Sequence, residues 1–290
     1  MLGWSLFVYL CRRDGVRAQV ASTAMVVIVV SSLIGARGLH FISSPTAQFT
    51  LANFLKFDEG GLVAYGGLVA GLLGLFAYVH WKKTDGWVCL DNAAPAVALG
   101  FGITRVGCFL FGCDYGVRHE SFWAIRFPRW DNFGVVEWIK RSAPAYNDHT
   151  GRVAEHAALF SDYIHPVQLY ESLLAFAAFG ILLLWLPAKR FHGQVMLAFL
   201  GYYAVGRYAL ETIRGDADRG DDIVGIGFST SQLIGVAVLA AAAFLWWLQS
   251  RRGLYAAAGT TAWRAPVDPI ENRLRADSAQ RSRKQRKKKR

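Results

Sequence analysis

Cysteine is scarce in this chain: four residues among 290, at Cys11, Cys89, Cys108 and Cys113. Four scattered thiols cannot build a disulfide framework, and only the last two stand close together in sequence. No His or second Cys pair lies near them at zinc-ligand spacing, so no metal is expected. No cleavable leader is expected either, because the basic pair Arg12 and Arg13 follows the apolar opening MLGWSLFVYL instead of preceding it. There is no internal repeat and no matched pair of interrupted helices, which weighs against an inverted-repeat transporter. Nor does any RNA- or DNA-reading module accompany the net charge of +11. Eight of the basic residues, and no acid, sit in the last ten positions, RSRKQRKKKR, leaving about +3 on the rest. Such a tail beyond a membrane helix reads as a cytoplasmic, lipid-facing or ribosome-facing extension, and no nucleic-acid partner is expected.

What the chain has in quantity is apolar sequence, 53% of its residues. Runs of about 20 apolar residues read as membrane-crossing helices. They fall near 18–36, 61–80, 91–112, 166–187, 193–213 and 228–249. The opening 1–11 is apolar but too short for a hydrocarbon core about 30 Å thick, so it counts as a truncated or half span. The expected fold is therefore all-α, a polytopic transmembrane bundle of about seven spans. Basic residues cluster in alternate connections: Arg12, Arg13 and Arg17; Lys82 and Lys83; Lys189 and Arg190; Arg251 and Arg252. The positive-inside rule places these and the C-terminus in the cytoplasm and, if residues 1–11 complete a helix, the N-terminus outside. The segment 117–164, between spans four and five, then becomes a small external head. Residues 1–250 form the membrane domain, and 251–290 a basic cytoplasmic tail without fixed structure.

Ionisable residues inside the spans carry the functional signal. An arginine at the bilayer centre costs about 2.5–3.5 kcal/mol on insertion scales, so it is retained for a partner, a pathway or a substrate. Arg105 lies deep in GITRVGCFLFG and Arg207 in GYYAVGRYALETIRG. On a helix Tyr203, Arg207, Glu211 and Arg214 share one face. The simplest structural reading is a self-satisfied Arg207–Glu211 pair, which leaves Arg105 and Arg214 without a partner. The functional reading is a buried anion site, because guanidinium groups grip phosphate through paired hydrogen bonds. In a membrane, that phosphate is a phospholipid head group. His165, Gln168 and Glu171 or Ser172 line one side of the helix that begins at HPVQLYE. Gly66 and Gly67, beside Tyr65, serve either close helix packing or the approach of a ligand.

The segments GAR (35–37), EGGLVAYGG (59–67), TRVGCFLFGCDYG (104–116), HPVQLYES (165–172), GYYAVGRYALETIRGDAD (201–218) and STSQ (229–232) complete the pattern. In order and spacing, over about 18–250, the chain resembles the bacterial prolipoprotein diacylglyceryl transferases. The resemblance implies a transferase of the bacterial inner membrane that needs no cofactor. It would move the diacylglyceryl group of phosphatidylglycerol to the lipobox cysteine of a prolipoprotein signal peptide, releasing glycerol 1-phosphate. It implies catalytic roles for Arg105, Arg207, Glu211 and Tyr65. It implies a substrate-binding set of Arg105, Arg37, Gly66, Gly67, Cys108, Cys113, Tyr115, Gly116, His165, Gln168, Glu171 and Arg214.

The chain also departs from the family pattern. Tyr65 stands where some members carry His, and a phenol of ordinary pKa about 10 is a poor base. His165 suits a base chemically but suits an anchor for the head equally well. Cys108 and Cys113 stand where better-known members carry Asn and an acid. They read as an external disulfide, a redox switch, replacement polar contacts or small packing residues. Two rival functions stay open: a paralogue using another lipid or nucleophile, and a lipid-binding or transport protein that is no enzyme.

Overall fold

The computed structural model describes residues 1–43, 50, 53–54, 63–129, 143–149, 159–215 and 229–251, without the side chains of Ala64, Tyr65 and Thr230. Residues 216–228, part of the head and the basic tail thus lie outside the described residues. Among the described residues a helix stands at each of the seven expected places. They are α1 (Leu2–Arg13), α2 (Ala18–Ser43), α3 (Ala64–Trp81), α4 (Gly86–Phe111), α6 (Val167–Trp185), α7 (Gln194–Glu211) and α8 (Thr230–Arg251), with the single turn α5 (Pro144–Asp148) in the head.

Among the described residues four helices are long and apolar enough to cross a membrane: Ala18–Ser43, Gly86–Phe111, Val167–Ala188 and Ser231–Arg251. At about 1.5 Å per residue, the twelve residues of α1 reach only about 18 Å. The long helices turn large apolar side chains outward, among them Val26, Val30, Leu33 and Ile34 on α2 and Leu173, Ile181 and Leu184 on α6. A water-soluble protein buries such side chains, whereas a bundle in lipid presents them to the acyl chains. The chain is a multi-pass membrane protein.

Its residues divide into two compact units, one holding Met1–Asn92 and the other Ala93–Tyr255. In the first, α2 and α3 pack through glycine. A Cβ on Gly66 would lie 2.3 Å from the carbonyl oxygen of Gly35, and one on Gly35 would lie 2.4 Å from that of Gly66. Gly67, Gly71 and Gly74 continue the seam against Ser32 and Ser31. Membrane helices gain from such contact because lipid offers no hydrophobic drive to associate, so dispersion at close range must hold them. Gly66 and Gly67 both serve close helix packing here. Gly66→Val is expected to force α2 and α3 apart and destabilise the fold by about 1–3 kcal/mol or more. A fall in thermal midpoint in detergent, with or without added lipid, checks it.

The second unit turns on one helix end. Helix α4 closes in a Schellman turn: Gly112, at φ +76°, donates its N–H to Phe109 O at 3.2 Å, and Cys113 donates to Cys108 O at 3.1 Å. Residues 115–117 then run between two segments. Val117 N–H donates to Ile213 O at 2.9 Å, Gly215 N–H to Tyr115 O at 3.0 Å, and Gly116 N–H to His165 O at 3.1 Å. The head has its own small core of Tyr115, Phe127, Ala143, Ala145, Tyr146 and Ile164. Isolated bridges such as Ile125–Ile164 and Pro128–Phe160 hold it together, and no longer strand forms among the described residues.

Candidate functional site

Helices α4, α6 and α7, with the turns that follow α4 and α7, bring six charged side chains of the second unit into one line. Arg214 pairs with Asp114 Oδ1, and Arg105 Nη1 donates to Asp114 Oδ2 at 2.6 Å. Arg105 Nε stands 2.7 Å from Glu171 Oε2. Arg207 Nη1 lies 3.6 Å from Glu171 Oε1 and 2.7 Å from Glu211 Oε2. Ser229 Oγ donates to Glu211 Oε1 at 2.9 Å, and Arg207 Nη2 donates to Ser231 Oγ at 3.4 Å. Charges alternate along the line, three guanidinium groups against three carboxylates. Glu171 and Glu211 are 3% and 1% exposed, so neither carboxylate is solvated by bulk water and the arginines beside them supply that stabilisation.

The structural reading, a lone Arg207–Glu211 pair, left Arg105 and Arg214 without partners, and the structure supplies them. Asp114 holds both, and Glu171 joins Arg105 to Arg207. The Arg207–Glu211 pair does form, as one link of the line. Arg214 also leaves the helical face assigned to it, because α7 ends at Glu211 and Arg214 sits in a bridge with Gly116. Asp114, Ser229 and Ser231 were missed from sequence. Asp114 follows Cys113 directly, but its partners are nine residues back and one hundred residues on, and no local spacing reveals them.

Burial by itself would raise the Asp114 carboxyl, but Arg105 and then Arg214 outweigh it and hold the group below the usual carboxylate range. A depressed folded-state pKa stabilises the fold above the unfolded value of about 3.9, and that stability is lost as pH falls through the lower folded value. Acidification is therefore expected to open the Arg105–Asp114–Arg214 clamp only well into the acid range. A plot of thermal midpoint against pH should show this acid limb, and Asp114→Asn should remove it.

A half-open apolar pocket lies beside the line, walled by Phe101, Leu174, Ala178, Phe199, Tyr202 and Gly206, with Glu171 and Arg207 also on its lining. Phe101 contacts the cluster as well, its ring centroid 4.8 Å from the Arg105 guanidinium carbon.

The remaining expected residues take other places. Gln168, fully buried, donates Nε2 to Cys113 O at 2.6 Å and so fastens α6 to the turn that carries Asp114. Tyr115 packs in the core of the head and donates its hydroxyl to Asp148. Gly116 leaves no room for a side chain: a Cβ there would sit 2.6 Å from that of His165. His165 stacks on His119 with centroids 3.9 Å apart, its Nδ1 3.2 Å from the Tyr170 hydroxyl. Burial, and then His119, hold its imidazole below the ordinary pKa. Cys108 and Cys113 are free thiols, half-buried, next to Arg105 and Asp114. In the first unit, Arg37 donates Nη2 to Asn53 O at 2.7 Å under the ring of Phe41. The backbone of Tyr65 belongs to α3, and its side chain lies outside the described residues.

A polytopic helix bundle with a buried line of arginines and carboxylates beside an apolar pocket defines a class: integral membrane proteins with a charged interior. The family model of prolipoprotein diacylglyceryl transferase matches residues 1–248, taking in α1 as well as the motif-bearing spans. The chain belongs to that family of transferases. Among its relatives is the phosphatidylglycerol–prolipoprotein diacylglyceryl transferase of Corynebacterium efficiens, 30% identical over 80% of this chain and 69% of its own. Proteins of the same name from Clostridium botulinum and Halalkalibacterium halodurans are 26% and 25% identical, over 74% and 83% of this chain and 77% and 76% of theirs.

Proposed function

We propose that this protein transfers the diacylglyceryl group of phosphatidylglycerol to the lipobox cysteine thiol of prolipoprotein signal peptides, releasing glycerol 1-phosphate. The observation that carries the reading is the line Arg214–Asp114–Arg105–Glu171–Arg207–Glu211 beside an apolar pocket. A phospholipid has the matching form, an anionic phosphate attached to apolar chains. On binding, the phosphate takes over guanidinium N–H groups from Asp114 and Glu171, and acyl chain enters the pocket. The substrate thiolate then forms the S–C bond at the glyceryl carbon as the C–O bond to phosphate breaks. The bond pair leaves on glycerol 1-phosphate, whose growing charge Arg105 and Arg207 already face. Glu171, between them, keeps both guanidinium groups aimed into the site while it is empty.

The enzyme works in a bacterial inner membrane, with the head outside and the C-terminal tail in the cytoplasm. Residues 1–250 form one catalytic domain, and 251–290 lie beyond it. The test is complementation of a bacterium depleted of its own transferase, with mass spectrometry of a lipobox peptide. Growth together with a thioether-linked diacylglyceryl product is expected. An inserted, folded protein that yields no product would sink the proposal and leave the rival lipid-binding reading.

A further inference from the structure

The Schellman turn at the end of α4 has a consequence for the cysteines. In that motif the residue three before the helix C-cap and the second residue after it are brought side by side. With Gly112 in the left-handed position, those two residues are Cys108 and Cys113. Their sulfur atoms and a carboxylate oxygen of Asp114 all lie within 4.8 Å of one another. Arg105 Nη1 donates to Cys108 Sγ at 3.9 Å and to Asp114 Oδ2 at 2.6 Å. Both thiols are half-buried, whereas Cys11 and Cys89 are buried. Two accessible sulfurs in register on one turn, touching the group that clamps two arginines, do more than fill space.

We propose that Cys108 and Cys113 form a reversible dithiol–disulfide pair, oxidised by a peroxide, that controls the Arg105–Asp114 end of the site. Arg105 faces Cys108 with positive charge, which favours attack by that sulfur. Cys108 sulfur breaks the O–O bond of hydrogen peroxide and becomes a sulfenic acid as the first water leaves. Cys113 sulfur attacks the sulfenic sulfur; the S–S bond forms, and the hydroxyl departs as a second water with the Cys113 proton. Two thiols are oxidised and one peroxide is reduced to two waters. A dithiol reductant reverses the step by exchange. The Cys113 thiol is pushed up to about 12 by burial and then by Cys108, which fits it as the second sulfur to react. Closing the bond takes Cys108 Sγ from Arg105 and draws on the residue next to Asp114, so the arginine clamp loosens. Under the proposed topology the pair lies at the outer face, where disulfides persist.

The test uses the full-length protein in phosphatidylglycerol vesicles, treated with hydrogen peroxide and then with dithiothreitol. Trypsin releases residues 106–118, which carry both cysteines, while Cys11 and Cys89 fall on other peptides. After peroxide that peptide is expected to be lighter by two hydrogen atoms and closed to alkylation, and dithiothreitol should reverse both changes. A peptide that stays a dithiol, or passes irreversibly to sulfinic acid, overturns the proposal. The second arm rests on the proposed function: oxidation is expected to cut lipobox-peptide transfer about tenfold or more, reversibly. Cys108→Ser, which removes the sulfur that meets the peroxide, should, whatever its own rate, show the same transfer with and without peroxide. A disulfide that forms while transfer is unchanged overturns the control. If transfer is absent in both redox states, the proposed function fails, and lipid retention by oxidised and reduced protein then decides the control: equal retention overturns it.

Discussion

Arg105→Ala is expected to lower diacylglyceryl transfer by about 10²–10³-fold or more, the scale for removing one preorganised donor from a developing anion. Arg105 reaches Asp114 through Nη1 and Glu171 through Nε, so a single side chain holds two carboxylates from two parts of the chain. A lysine offers one compact ammonium and cannot repeat that fork, so Arg105→Lys is expected to fail nearly as badly. Truncation also leaves the buried Glu171 short of a cation, and breaking such a pair costs about 3–5 kcal/mol. Activity and folding must therefore be read separately. Adding Glu171→Gln to Arg105→Ala removes the orphaned charge and should return much of the thermal midpoint without returning transfer. Full transfer by either arginine variant would take Arg105 out of the chemistry.

Gly116→Ala should be as damaging although it removes no functional group. The added methyl would meet the Cβ and carbonyl oxygen of His165 at 2.6 and 2.7 Å, and Gly215 crosses the same backbone so closely that its own Cβ would lie 2.8 Å from Gly116. Neither neighbour is the end of a flexible side chain, so the strands of chain must part. Overpacking of this kind costs about 1–3 kcal/mol. The displaced segment is the one that carries Arg214 to Asp114. Loss of transfer with loss of the acid limb assigned to Asp114 is the expected pair of results. A variant that keeps both would show that the bridge between Gly116 and Arg214 is not what builds the clamp.

These two substitutions also mark the division between what could be read early and what could not. Arg105, Arg207 and Glu211 were legible because charge inside an apolar run is costly enough to demand a reason. The helices were legible because their apolar runs are long and continuous, and each of the seven expected positions holds one. The four longest satisfy the demands of a bilayer by length and composition alone. Gly66 and Gly67 were legible only as alternatives, since a missing Cβ permits a close approach without saying what approaches.

The clamp itself was hidden. Asp114 reads as an ordinary acid just past a span, and Arg214 as the next step on a helical face. Only when α7 stops at Glu211 and Gly116 bridges to Arg214 do the two meet. The cysteine pair, first met as the exception to a scarcity, depended likewise on a left-handed Gly112 to set its sulfurs together. The sequence by itself determined a membrane bundle with arginines within it, because hydrophobic length and the cost of buried charge are local properties of the chain. Tertiary structure alone decided which carboxylate faces which arginine, because Coulombic pairing depends on distance in space and not along the chain.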